Sequence, residues 1–442
     1  MSQKSNASSP RSWLDHAIFW HIYPLGFCGA EREARTESVQ HRLRHIEGWL
    51  DYAVELGCSA LLLGPIFASE SHGYDTTDHF QIDPRLGDES DFTHLVEAAH
   101  AKGLKLVLDG VFNHVGRSFA PFRDVLQHGE RSASARWFRS AGHTRNGQPR
   151  FAVFEGHEQL VALNHAEPEV ARYVTSVMDH WLARGADGFR LDAAYAVPTD
   201  FWQRVLPELR GNHPHAYFLG EVIHGDYARI VQDSGFDSVT QYELWKAIWS
   251  ALNDVNCFEL AWALERHAGF VEQFLPQTFV GNHDVTRIAS KLRDERHLPH
   301  ALAALFTLPG IPSIYAGDEQ AFRGVKEERA GGDDAIRPTF PRRPAQLAPY
   351  GWPIYRLHQD LIALRRRHPF LQRGRVRVDS RTNSGLIYTC QGDGAALSVA
   401  LNLGDAPMAL PKTVHALLSN RSTQPQDVTH VEPHGFIIGT SD

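Results

Sequence analysis

Two periodicities alternate along most of this chain. Short, almost wholly apolar runs are separated by longer stretches in which apolar residues return every three or four positions. Ala17-Ile18-Phe19-Trp20-His21-Ile22-Tyr23 is the first run, ended by Pro24, and it reads as a strand. Residues 39–56 follow with Leu43, Ile46, Leu50 and Val54 on one helical face, and Gly57 stands where a helix C-cap belongs. Ala60-Leu61-Leu62-Leu63 is apolar throughout, as a strand buried on both faces is. The alternation repeats: helix 89–102 leads to strand 104–109, helix 167–184 to strand 189–192, and helix 201–210 to strand 217–221. Further strands are predicted over 236–241, 277–282 and 311–316, and a helix over 354–367. Eight strands alternating with helices predict a parallel α/β fold, and eight is the number that closes a barrel. A doubly wound open sheet is the alternative, but no Gly-rich phosphate loop follows the first strand.

The rhythm breaks twice. Residues 110–165 are polar and turn-rich, too long for an ordinary loop, and are expected to form a small inserted domain after strand three. After His368-Pro369 the period shortens to alternation, as in Arg375-Val376-Arg377-Val378 and Leu386-Ile387-Tyr388-Thr389, with further runs at 396–400 and 435–438. A C-terminal antiparallel β-sandwich over 370–442 is predicted. A carbohydrate-binding module is the alternative, but the tail shows no exposed aromatic platform. The expected organisation is therefore a polar, disordered lead-in over 1–12, a (β/α)8 TIM barrel over 13–109 and 166–369, the insertion, and the C-terminal domain.

Composition narrows the function classes. The 442 residues carry a net charge of −8, and 43% are hydrophobic. Basic residues are scattered, so neither nucleic acid nor an anionic membrane surface is an expected partner. No run approaches the roughly 18 apolar residues of a membrane span, and no apolar signal segment follows the lead-in. Cys28, Cys58, Cys257 and Cys390 have no metal-type spacing, so reduced thiols in a cytoplasmic protein are expected.

Chemistry concentrates at the strand ends, which in such a barrel converge on one face. They supply Asp109 with Asn113-His114, Arg190 with Asp192, Glu221, and His283-Asp284. Taken alone, Arg190 and Asp192 describe an ordinary buried ion pair. Asp192, Glu221 and Asp284 at one mouth describe something else. Like charges at short range keep one carboxyl protonated, while the guanidinium keeps another ionised. One acid and one ionised nucleophile are what retaining glycoside hydrolysis needs.

Asp109-Gly110-Val111-Phe112-Asn113-His114, Gly188-Phe189-Arg190-Leu191-Asp192, Gly220-Glu221 and Phe279-Val280-Gly281-Asn282-His283-Asp284 resemble, in order and spacing, the four conserved regions of the α-amylase family, glycoside hydrolase family 13. Gly64-Pro65-Ile66-Phe67, Leu163-Asn164 and residues 310–319 agree as well. The resemblance implies that Asp192 is the nucleophile, Glu221 the general acid and later base, and Asp284 the holder of the 2- and 3-hydroxyls of the reacting sugar. It implies that His114 and His283 bind hydroxyls of that sugar, that Arg190 tunes Asp192, and that Asp109 belongs to the same site. Tyr74, in His72-Gly73-Tyr74-Asp75, would stack under the sugar ring, covering apolar C–H surface. Asp334 and Arg337 would grip the next sugar, with Asp333 as the alternative acid.

Residues 72–78 and 82–87, with Gly220-Glu221-Val222-Ile223-His224, are most similar to the cyclomaltodextrinase, neopullulanase and maltogenic amylase group. That likeness implies hydrolysis of α-1,4 bonds in cyclodextrins and short maltooligosaccharides, with transglycosylation. An exo-acting α-glucosidase or glucosyltransferase of the same family is the alternative, and a non-catalytic sugar-binding protein a remote one. The N-terminal dimer-building domain of many members has no counterpart before strand one, which favours a monomer. Family calcium sites use an asparagine matching Asn113 and a Lys-His pair after the nucleophile. Here Ala193-Ala194-Tyr195 follows Asp192, so no metal and no cofactor are expected.

Overall fold

The computed structural model describes residues 12–34, 38–143, 149–329, 331–420 and 424–440. The expected lead-in falls outside them except for Ser12, which opens the 3-10 turn Ser12–His16. Among the described residues the architecture rests on eight strands: β1 (Phe19–Ile22), β2 (Ala60–Leu63), β3 (Lys105–Gly110), β4 (Gly188–Leu191), β5 (Tyr217–Gly220), β6 (Ser238–Val239), β7 (Gln277–Phe279) and β8 (Ile311–Tyr315). They hydrogen-bond in the order β6-β5-β4-β3-β2-β1-β8-β7, and a parallel bridge between Thr240 and Gln277 links the two ends. This is the sequential neighbour order of a (β/α)8 barrel.

Several boundaries differ from expectation. The helix predicted over 39–56 is two short helices, Leu43–Glu47 and Leu50–Leu56, with Gly48 capping the first. The break re-aims the second helix, so Leu43, Ile46 and Leu50 are fully buried while Val54 is exposed. The sixth strand keeps only Ser238 and Val239 of the predicted 236–241. Asp237 is instead drawn to the β5 backbone: its carboxylate accepts the Phe218 N–H at 2.9 Å. Two helices between β6 and β7, Tyr242–Asp254 and Cys257–Val271, are not anticipated by the sequence pattern.

By compactness the chain divides into one unit made of residues 12–14, 22–50 and 60–237, and another made of 15–21, 51–59 and 238–442. In the first unit, the chain beyond β3 forms a three-stranded antiparallel sheet from His114–Val115, His157–Ala162 and Val153–Phe154, and a pair of strands, Ser140–His143 with Pro149–Phe151. In the second, the tail forms β9 (Arg375–Arg381), β10 (Gly385–Gly392), β11 (Ala395–Asn402), β12 (Met408–Ser419), β13 (Gln426–Val431) and β14 (Phe436–Thr440). They make an antiparallel sheet in the order β9-β10-β11-β14-β12-β13. Strands β12 and β13 leave no clear period in the sequence because Pro411 and its exposed polar neighbours interrupt the alternation. The register of β12 shifts across that stretch, between Ala409 and Val414, and a bulge is where a strand tolerates proline. Ile387, Ala400, Val414, Ala416, Val431 and Ile437 pack together as a core of this sheet.

All four cysteines are free and buried. Among the described residues no helix is long and apolar enough to cross a membrane.

Candidate active site

The first unit gathers its charged strand ends around one guanidinium. Arg190 in β4 is paired in register with Asp109 in β3, so the two side chains leave the same face. Arg190 Nη1 lies 2.7 Å from both Asp109 carboxylate oxygens and 3.0 Å from Asp192 Oδ1, and Nη2 lies 2.5 Å from Glu221 Oε1. Asp192 and Glu221 each follow the last residue of their strands, and Leu191 pairs with Gly220, so register alone sets the two carboxylates side by side. All four residues are buried. Burial by itself lowers a guanidinium's pKa; Asp109, then Glu221 and Asp192, outweigh it and hold Arg190 charged.

Local backbone completes the arrangement. Gly188 admits the neighbouring strand, for a Cβ there would stand 2.2 Å from the Tyr217 carbonyl oxygen. Ala193 adopts φ +45°, ψ +37°, a left-handed conformation that costs a non-glycine residue on the order of 1 kcal/mol. The turn delivers the Ala193 N–H to Glu221 Oε2 at 2.9 Å, so the strain buttresses a carboxylate.

Tyr74 and His114 border this cluster. The Tyr74 hydroxyl donates to Asp109 Oδ2 at 3.0 Å, and Arg190 lies 5.9 Å from the centre of its ring. His114 Nε2 is 4.0 Å from Asp192 Oδ2, beyond hydrogen-bond range. The ring stacks on Phe154 at 4.8 Å, and burial lowers its pKa to about 3, so it is a neutral imidazole at ordinary pH.

The second unit gathers His283, Asp284 and Arg337. Gly281 precedes them because any Cβ would meet Asp318 Oδ2 at 2.1 Å. Asn282 holds the turn, donating to the Tyr242 hydroxyl and accepting the Asp284 N–H, both at 2.9 Å. Asp284 faces His283 Nε2 at 2.8 Å and Arg337 Nη2 at 2.7 Å, and Arg337 Nε donates to the His283 carbonyl at 2.9 Å. Arg337 Nη2 also lies 3.0 Å from Asp333 Oδ2. Asp334, the residue expected there, is exposed at the start of the 3-10 turn Asp334–Ile336.

Three contributors are absent from the sequence-based set. His21 packs edge-on against His283 at 5.0 Å, and its signal is a polar residue inside an apolar strand. Phe154 and the left-handed Ala193 carry no sequence signal.

A parallel barrel with buried acids just past its strand ends, two of those strands drawn close by Gly188, is the architecture of a barrel enzyme. The family description "Alpha amylase, catalytic domain" matches residues 21–343, and the chain belongs to this family of glycoside hydrolases. Cyclomaltodextrinase of Geobacillus thermopakistaniensis is 30% identical over 96% of this chain and 77% of that protein. Among solved structures, the cyclic α-maltosyl-(1→6)-maltose hydrolase of Arthrobacter globiformis, in complex with that sugar, superposes with a TM-score of 0.82 at 25% identity, over 98% of this chain and 100% of that one. The debranching enzyme of Nostoc punctiforme gives 0.81 at 27% identity, over 97% and 99%.

Proposed function

We propose that the protein is a retaining α-glycoside hydrolase that opens cyclodextrins and cleaves α-1,4 bonds of short maltooligosaccharides. Asp192 attacks the anomeric carbon, forming a glycosyl-enzyme ester, while Glu221 protonates the departing glycosidic oxygen. Water deprotonated by Glu221 then hydrolyses the ester. Asp284 holds hydroxyls of the reacting sugar, contacts that strengthen as the ring flattens toward the oxocarbenium-like state. His114 and His283 bind the same sugar, Tyr74 lies under it, and Arg337 with Asp333 or Asp334 grips its neighbour.

The observation that carries this reading is the shared guanidinium. Arg190 contacts Asp192 and Glu221 together, which keeps the acids within reach of the roughly 5–5.5 Å that retaining chemistry uses. Names of relatives support the substrate class. The end-to-end likeness to the cyclic maltosyl-maltose hydrolase favours a second reading, in which a smaller ring bearing α-1,6 links is preferred. Product time courses on β-cyclodextrin, cyclic maltosyl-maltose and maltose separate the two. Glu221→Gln should lower kcat on every one of them by at least about a thousandfold, and retained turnover would overturn the assignment.

We further propose a barrel over 13–109 and 166–369 with domains at 110–165 and 370–442. The same reading includes a monomer, to be checked by light scattering, and a cytoplasmic location, supported by four unpaired buried thiols.

A further inference from the structure

We propose that Asp294, His297 and His434 bind a divalent transition-metal ion of the zinc type, clipping the C-terminal sheet to the helix that precedes β8. All three belong to the second unit, and one ligand atom from each lies within 4.8 Å of the others.

Two neutral rings do not balance their protons here, so either an ion or a second proton on His434 must lie between them. His434 Nε2 lies 2.7 Å from Asp405 Oδ1; a carboxylate only accepts, so the proton of this ring is there. The other nitrogen, Nδ1, faces His297 Nε2 at 3.0 Å. His297 is 2% exposed and its Nδ1 is buried with no hydrogen-bond partner. A neutral His297 ring has one proton for two tasks. Placed on Nε2, the proton serves His434 and leaves a buried bare nitrogen at Nδ1. Placed on Nδ1, it leaves two lone pairs facing each other across 3.0 Å. A cation between Nε2 and Nδ1 satisfies both rings.

The rest of the site fits. Nitrogens at about 2.0–2.1 Å from a tetrahedral zinc stand roughly 3.3–3.4 Å apart, which asks the rings to part by a few tenths of an ångström. Asp405 behind His434 is the carboxylate–histidine pairing that orients metal ligands. Arg296 holds Asp294 from one side, its backbone N–H and Nε reaching Oδ1 at 3.0 Å and its Nε and Nη2 reaching Oδ2 at 3.0 and 2.6 Å; the ion takes its place on the carboxylate by displacing part of the shared Nε contact. Two carboxylates against one guanidinium leave the site negative before the ion arrives. Imidazole nitrogens select a zinc-like ion rather than calcium. His434 also sits at φ +50° in the turn between β13 and β14, a strained conformation suited to a residue aimed at a task.

The test is titration of chelator-stripped full-length protein with zinc sulfate against a chromogenic chelator, and with cobalt(II) read by its visible absorbance. One ion per chain at sub-micromolar affinity is expected, with the intense absorbance of a four-coordinate cobalt site. His434→Gln and Asp294→Asn should each weaken binding at least tenfold and lose that absorbance, and Asp405→Asn should weaken it about tenfold. Melting without metal shows that the variants are folded. A dissociation constant weaker than about 1 μM (roughly −8 kcal/mol), or binding that survives His434→Gln, would overturn the site.

Discussion

At Arg190 a planar fork of five N–H donors meets three buried carboxylates, and lysine at this position keeps the charge while losing the shape. A single ammonium cannot reach Asp109, Asp192 and Glu221 with matched geometry. Arg190→Lys should therefore lower kcat/KM by about a hundredfold or more and lower Tm by several degrees; an unchanged kcat/KM would mean that charge alone is what the site requires. The acids themselves were legible in the sequence because each interrupts or ends an apolar run where packing offers a carboxylate nothing. Asp333 and Asp334 were not distinguishable. They are adjacent acids before a single-turn 3-10 segment, where no period fixes which one turns toward Arg337. The strain at Ala193 was illegible for a simpler reason: alanine advertises no left-handed turn, and only the hydrogen bond to Glu221 accounts for it.

Strands β4 and β5 bring Asp192 and Glu221 together only because glycine lets them approach. Gly188→Ala would press a methyl group into the Tyr217 carbonyl, and a backbone atom cannot swing aside as a side chain can. We expect a loss of about 1–3 kcal/mol together with a large fall in kcat, as the two acids part. Gly211 is the control. It lies inside the helix Thr199–Asn212, and a methyl group added there would meet nothing within 4 Å, so Gly211→Ala should stabilise by about 0.5–1 kcal/mol. Urea midpoints for both variants test the pair, and a Gly188→Ala midpoint equal to that of Gly211→Ala would refute the steric argument. Elements with a clear period were readable in the sequence. Among those missed, Cys257–Val271 is apolar around much of its circumference; β6 was expected over 236–241, but at two residues it is too short for a period to fix its bounds.

Across the whole molecule, burial of histidine sets the response to acid. Burial lowers the pKa of His114 to about 3 and those of His79, His165, His267, His300 and His358 to about 4. An unfolded histidine takes up its proton near pH 6.5. Between about 6.5 and 4 the unfolded chain therefore binds more protons, and stability falls as pH falls. Asp318 and Glu319 oppose this, since burial raises them to about 6 and about 7; there the folded chain holds the extra proton, and rising pH costs stability. Six groups against two decide the sign. The unfolding free energy from urea titrations should drop from pH 6.5 to pH 4 more steeply than the roughly 1.4 kcal/mol per pH unit of a single proton, and a flat or rising value would refute the argument. None of this was legible in a count of 26 histidines, because the titration of each depends on burial that only the fold confers. Glu319→Gln isolates one opposing group. Glu319 Oε1 accepts the Tyr52 hydroxyl at 2.9 Å and Oε2 the Gly317 N–H at 2.9 Å, and glutamine keeps a single acceptor oxygen, so the variant starts less stable at pH 4.5. As pH rises from about 4.5 to about 7 the unfolded wild type releases this proton while the folded chain keeps it, so the wild type loses stability, whereas the variant has nothing to ionise. The stability difference between them should therefore shrink steadily over that window and level off above it. A difference that stays constant with pH would place the Glu319 titration outside the window its burial dictates.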